Sequence, residues 1–409
     1  MLRRTSRYNE SMTPPSSCLR RVYLDHAATT SVREEVRDAM MPFFSERFGN
    51  PSSLHAEGRE AREALEEARE TIRSACGAKE HELLFCSGGT EGNNAALMGL
   101  LLGTIERGEE ALPGHRRVVV TSEVEHPSVL ASRGCVEALG GAWRVVAPTR
   151  SGRVELGTLG DSIRDDTLLV SLQWANNEVG VLQPVEEAAA LARSRGAYFH
   201  SDAVQVLGKL PLDLGASSLD LVTVSAHKIE GPKGIGGLFL RRGIPFGALL
   251  RGGAQESGLR AGTENVALAV GFARAVELAE GGRETSMKRL GFLREELRFH
   301  IERRWPAAIV NGLEVESLPT ILNVSFPWVE GESLLKLLDW HGVAASTGSA
   351  CNTRAQKPSH VLRSMGRSDR EIRGSLRLSL GPSTSREDVF FTLDALTSAL
   401  RQLGGLAPE

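Results

Sequence analysis

Seven short apolar runs punctuate the first two thirds of this chain: Leu83-Cys86, Val118-Ser122, Trp143-Ala147, Leu168-Leu172, Ala197-His200, Leu221-Ser225 and Gly237-Leu240. Stretches of helical character separate them. Runs this apolar bury both faces of a strand, and strands that alternate with helices build a mostly parallel sheet covered on both sides. The expected fold is therefore α/β, with a mostly parallel seven-stranded sheet forming a large domain. Ahead of the first run, Ala61, Ala64, Leu65, Ala68 and Ile72 recur at spacings of three and four between charged residues. That period marks an amphipathic helix, which Gly77 stops.

A second rhythm begins after residue 280. The helical pattern from Val266 to Glu280 meets Gly281-Gly282, and strands are then expected near Ile321-Phe326, Val343-Ser346 and Leu376-Leu380. Thr384-Ser385-Arg386-Glu387 reads as a capping box that opens a last helix. Strands and helices without strict alternation suggest a smaller α+β domain. The expected division is a disordered arm over 1–20, a large domain over 32–275, and a small domain made of 21–31 with 276–409. The arm carries Arg3, Arg4, Arg7, Pro14 and Pro15 but no apolar h-region, so it does not read as a secretory signal.

Among 409 residues, 41% are hydrophobic and 24% charged, which is ordinary for a globular protein. A formal charge of −3 offers no basic excess to hold a phosphate backbone, so nucleic acid is not expected as a partner. No apolar run approaches the roughly 20 residues of a spanning helix, and a cytoplasmic location is expected. The five cysteines, Cys18, Cys76, Cys86, Cys135 and Cys351, form no C-x-x-C pair, which disfavours a disulfide framework and a metal site. Cys76 and Cys86 sit in apolar patterns and read as small buried hydrophobes. Cys351 instead lies in a loop of small polar residues, Ser346-Thr347-Gly348-Ser349-Ala350-Cys351-Asn352-Thr353.

In a parallel sheet, ligands bind beyond the carboxyl ends of the strands. Polar clusters follow several of the expected strands. Ser87-Gly88-Gly89-Thr90-Glu91-Gly92 is a glycine turn into a helix, whose free N–H groups and threonine hydroxyl suit a phosphate. His126 follows Val118-Ser122, and its ring can stack on a flat group or relay a proton. Asn176-Asn177 follows Leu168-Leu172 and offers amides to a phenolic oxygen or a carboxylate. Asp202 and Gln205 end another strand, while Ser225, His227 and Lys228 end the next, ahead of the glycine run Gly231-Pro-Lys233-Gly234. Each residue alone has a plainer reading as a turn former, a cap or a surface lysine. Together they supply a phosphate cradle, a stacking ring, a carboxylate and an amine able to form a Schiff base. A lysine with an acidic partner for a pyridinium nitrogen is the recurring arrangement around pyridoxal phosphate.

The segments Leu24-Asp25-His26-Ala27-Ala28-Thr29-Thr30, Gly49-Asn50-Pro51-Ser52-Ser53, Ser87-Gly88-Gly89-Thr90-Glu91, Glu125-His126, Asn176-Asn177-Glu178-Val179-Gly180 and Ser225-Ala226-His227-Lys228 resemble those of the cysteine desulfurases. These are pyridoxal phosphate enzymes of the class V aminotransferase family, with a fold type I transferase architecture. The resemblance continues through Arg260-Ala261-Gly262-Thr263 and Gly348-Ser349-Ala350-Cys351 to Leu376-Arg377-Leu378-Ser379-Leu380-Gly381, covering about residues 22–400. It implies Lys228 as the lysine that bonds the cofactor, Asp202 on the pyridinium nitrogen and His126 over the ring. It further implies Gly89, Thr90, Ser225 and His227 around the phosphate, and Gln205 on the ring hydroxyl. Thr263 would reach the neighbouring subunit's phosphate in a homodimer, Asn177 and Arg377 would hold the carboxylate of L-cysteine, and Cys351 would take the sulfur as a persulfide. No metal is implied.

Selenocysteine lyase shares these features and is the nearest alternative; a catalytically silent sulfur-binding or assembly protein is the alternative from another class. The loop from Cys351 to Pro358 has the length of the long-loop group, whose members pass sulfur to acceptor proteins for iron–sulfur cluster assembly or other sulfur transfer. Gly92 departs from the family's frequent serine, Trp174 stands where a smaller apolar residue is common, and the tail beyond Leu396 is short.

Overall fold

The computed structural model describes residues 20–108, 116–347 and 358–404. The expectation of a disordered arm therefore falls outside the described residues, apart from Arg20, as does Cys351 with most of its loop. The described strands are β1 (Val22–Tyr23), β2 (His81–Cys86), β3 (Val118–Ser122), β4 (Ala142–Val146), β5 (Thr167–Ser171), β6 (Tyr198–Asp202), β7 (Leu221–Ser225), β8 (Gly236–Arg241), β9 (Ile309–Asn311), β10 (Ile321–Ser325), β11 (Val343–Ala344) and β12 (Ser375–Ser379). β2 to β8 correspond to the seven apolar runs and form one sheet, in the order β2-β8-β7-β6-β5-β3-β4.

β8 runs antiparallel to both its neighbours, while the other pairings are parallel. The cause is the short connection over 226–235: a parallel return needs a crossover of a dozen or more residues. Because β2 is antiparallel to β8, it runs with β7, and the carboxyl ends of β2, β3, β5, β6 and β7 share one edge. Side chains alternate across the sheet. Val120, Val170, Val222 and Phe239 face one hydrophobic cluster, and their neighbours Val119, Leu169, Leu221 and Leu238 face another. The helix Gly89–Glu106 covers the second face through Ala96, Leu97, Leu100 and Leu101. The helix Ala56–Ala75 covers the first through Leu65, Ala68 and Ile72.

The pattern from Val266 does not stop at Gly281-Gly282: a single helix of 39 residues runs from Val266 to Arg304. Each glycine costs a helix about 1 kcal/mol relative to alanine, but packing at both ends outweighs that. Ala269, Phe272 and Val276 belong to the cluster under the large sheet, and Leu290, Leu293, Leu297 and Ile301 belong to a separate cluster further on. That further cluster lies against the antiparallel sheet β12-β10-β9 and the parallel pair β1-β11. β1 and β9 were not expected, being too short to show a period. The capping box is also shifted by one residue. Ser385 caps the helix Arg386–Gln402 with Asp388 as its reciprocal partner, while Thr384 Oγ1 accepts from Gly381 N at 3.0 Å.

Candidate active site

At the shared edge of the sheet lies a cavity of about 310 Å³. Gly89, Thr90, His126, Asn177, Asp202, Gln205, His227, Lys228 and Arg377 all line it, brought there from five strand ends and from β12. A larger cleft of about 620 Å³ elsewhere is lined by Arg62, Arg69, Arg73 and Glu256. It holds none of the expected site residues, and Arg69 and Glu256 neutralise one another at 2.8 Å.

Lys228 follows β7 on a 3₁₀ turn, and its Nζ donates to the carbonyls of Ala27 at 2.6 Å and Ala28 at 2.7 Å. Asp202 closes β6. Its Oδ1 accepts from Val204 N at 3.0 Å, and its Oδ2 accepts from Asn93 Nδ2 at 2.7 Å. The same amide donates to Ser128 Oγ at 2.8 Å, which lies 2.7 Å from His126 Nδ1. A chain His126–Ser128–Asn93–Asp202 thus fixes both the ring and the carboxylate. Burial lowers the His126 pKa first of all, with Asp202 pulling upward and Lys228 and His360 downward.

The phosphate end was anticipated at the turn after β2. Gly88 has φ +152°, a conformation that favours glycine, and it directly precedes the 18-residue helix Gly89–Glu106. A side chain built on Gly88 would enter open space, its nearest neighbour being Ser225 Oγ at 4.0 Å. Ser225 Oγ is itself buried without a hydrogen-bond partner. A buried hydroxyl left without a partner is costly, so this hydroxyl, the open space over Gly88 and a helix N-terminus fit an anionic oxygen group. Asp202 supplies a carboxylate for a protonated ring nitrogen. The residues present therefore fit pyridoxal phosphate. His227 Nδ1 lies 3.2 Å from Thr29 Oγ1, and burial followed by Lys228 lowers its pKa to about 4, which leaves a neutral ring here.

Arg377 is 2% exposed. Nη2 donates to Asp25 Oδ1 and Nη1 to Asn177 O, at 2.8 and 2.9 Å, while Nε is buried without an acceptor. The guanidinium is thus oriented by two partners and retains N–H groups for a carboxylate. The two asparagines separate in role. Asn176 is locked into its own turn, its Oδ1 accepting from Glu178 N and Val179 N, and only Asn177 reaches the cavity. Thr263 is exposed and lies in a different cleft, beside Ser87 and Arg260. The residues missed from sequence are Asn93, Ser128 and the carbonyls of Ala27 and Ala28. Asn93 stands three residues after Thr90, on the same helix face, and that spacing was the available signal.

Residues 22–390 match the family model for aminotransferase class-V. The chain is 43% identical to the cysteine desulfurase IscS of Dictyoglomus turgidum over 95% of this chain and 97% of that one. It belongs to the class-V aminotransferases, among the cysteine desulfurases. A second cysteine desulfurase IscS, from Methanosarcina thermophila, is 42% identical over 95% and 94% of the two chains. Among solved structures, a NifS-like protein superposes with a TM-score of 0.85 at 36% identity, covering 94% of this chain and all of that one. SspA, solved in complex with cysteine, superposes with a TM-score of 0.76 at 33% identity over 89% and 99%. As a class-V aminotransferase of this group the chain is a pyridoxal phosphate-dependent enzyme, with the α/β fold expected from its sequence.

Proposed function

We propose that this enzyme removes sulfur from L-cysteine, leaving L-alanine and a persulfide on Cys351. The observation that carries the reading is the meeting of Lys228, Asp202, His126 and Arg377 around one cavity, and the unpartnered Ser225 hydroxyl beside Gly88 adds to it. Likeness to cysteine desulfurases over nearly the whole chain supports the substrate. Bound pyridoxal phosphate supplies an electron sink that lets a Cα proton leave and the carbon–sulfur bond weaken.

The chain's residues supply the rest. Asn177 and the free N–H groups of Arg377 bind the substrate carboxylate, and Asp202 holds a positive ring nitrogen in place. The amine of Lys228 takes the Cα proton and returns a proton to the carbon that loses sulfur. His126, whose pKa burial lowers, stacks over the cavity and moves a proton at the substrate sulfur. The Cys351 thiol gives its proton and takes the sulfur, so that cysteine plus thiol become alanine plus persulfide with every atom accounted for. Gln205, Gly89, Thr90, Ser225 and His227 hold the cofactor, and we assign Thr263 to the partner subunit's site in a homodimer. An acceptor protein then takes the sulfur, in the cytoplasm; among the described residues no helix is long and apolar enough to cross a membrane. We read 32–275 as the large domain and 21–31 with 276–409 as the small one. The cluster around Leu290, Val324 and Leu396 draws all its members from the smaller unit, which supports this reading, while Ala27, Val276, Leu318 and Ile321 pack into the larger one and a further cluster joins Val124, Val179 and Val181 to Val361, Leu362 and Met365.

L-cysteine given to the cofactor-loaded protein should yield alanine and, with a thiol reductant, sulfide in equal amounts. Protein that forms alanine from selenocysteine and none from cysteine would overturn the assignment in favour of the lyase. In the same assay Arg377→Lys should raise KM roughly 10- to 100-fold, because an ammonium cannot reproduce a planar fork fixed by Asp25. An unchanged KM would remove Arg377 from the carboxylate site.

A further inference from the structure

Lys209 is a charged residue at the site that the reading above leaves without a task. It lies behind Lys228, on a second cavity of about 300 Å³ that also touches His26 and Thr320. Among the described residues no carboxylate pairs with it, and its Nζ donates at 3.0 Å to Gln205 Oε1. Gln205 in turn donates from Nε2 to Ala27 O at 3.0 Å, the same carbonyl that receives Lys228 Nζ.

An amide has one accepting and one donating end, whereas an ammonium only donates. Lys209 therefore forces Oε1 of Gln205 toward itself, and Nε2 turns toward Ala27 and the first cavity. A reversed amide would set N–H against N–H at Lys209 and oxygen against oxygen at Ala27. We propose that Lys209 is a positioning residue for the cofactor: it locks the Gln205 amide so that the pocket meets a donor, able to bond an anionic ring oxygen, and never a carbonyl. The inference rests on pyridoxal phosphate occupying the first cavity, as argued above.

Burial, then Lys228 and Arg377, pushes the Lys209 ammonium down to about 7, while burial holds His26, which faces it, down at about 4. Arg33 and Glu230 complete the charges on the second cavity. The lock is accordingly read at pH 6, with Lys209 charged and His26 neutral. Wild type, Lys209→Met, Gln205→Leu and the double variant are loaded with pyridoxal phosphate. The dissociation constant is measured by equilibrium dialysis and the position of the visible absorbance band is recorded.

Lys209→Met should weaken binding roughly tenfold, the scale of one hydrogen bond to a charged group, and move the band to that of Gln205→Leu. In the Gln205→Leu background it should change neither quantity further. An unmoved constant and band in a folded Lys209→Met, or an equal effect in both backgrounds, overturns the lock. Lys209→Arg keeps a pure donor and should retain the wild-type band; an Arg variant with the Gln205→Leu band overturns the proposal even where the Met variant does not fold. Wild type that takes up no pyridoxal phosphate would instead bring down the functional reading itself.

Discussion

Lys228→Ala will stop alanine formation from cysteine, with a loss of at least about 10,000-fold, because the proposed mechanism makes one amine both the anchor of the cofactor and the proton carrier at carbon. Its Nζ lies on the carbonyls of Ala27 and Ala28 at the wall of the cavity that Asp202 also lines. Borohydride should fix the cofactor covalently to the peptide containing Lys228 in wild type and leave no such adduct in the variant. A variant with more than a few per cent of wild-type turnover would show that the proton travels by another group, with His126 the first to test.

The second large effect concerns sulfur. Cys351→Ser should abolish the persulfide and lower cysteine turnover on the order of 100-fold or more. Mass spectrometry of the wild type after brief exposure to cysteine should find one added sulfur on the peptide containing Cys351. Burial raises the thiol pKa of Cys86 to about 12 and raises that of Cys76 as well. Neither offers a thiolate near neutral pH. Cys135 is exposed and serves as the internal control. Sulfur gathered on Cys135 with Cys351 unmodified would overturn the assignment.

The central sheet was legible because its inner strands are buried on both faces and so read as unbroken apolar runs; β4, at the edge, has only Val146 buried and was placed by its short apolar stretch alone. The direction of β8 follows from chain length between Lys228 and Gly236, a quantity present in the sequence but informative only once both strands are placed. Strands β1 and β9 were illegible, since two or three residues carry no period. Gly281-Gly282 misled for the opposite reason. A local helix breaker was weighed without the tertiary packing of Val276 on one side and Leu290 on the other, which holds the helix intact through it.

Within the site, the groups that carry an obvious chemical signature could be read in advance: an amine, an imidazole, a carboxylate and a glycine turn. The groups that hold them could not. Asn93 bonds a partner distant in the chain, Asp202, and Lys209, though only four residues from Gln205, gives no sign in the sequence of which end of that amide it meets. The carbonyls of Ala27 and Ala28 belong to the main chain, where residue type leaves no trace. Arg377 was legible as a cation for a carboxylate, but its tether to Asp25 joins β12 to a segment more than three hundred residues earlier.

Four stretches of main chain pass between the hydrophobic cluster of the large sheet and the one beyond it: the few residues from Leu24 to Ala27, the unbroken helix between Val276 and Leu290, the stretch from Trp305 to Leu318 and the step from Ile321 to Leu322. Lys228 is tethered to Ala27 at the first of these crossings, so any displacement of one cluster against the other reaches the amine through that short main-chain link.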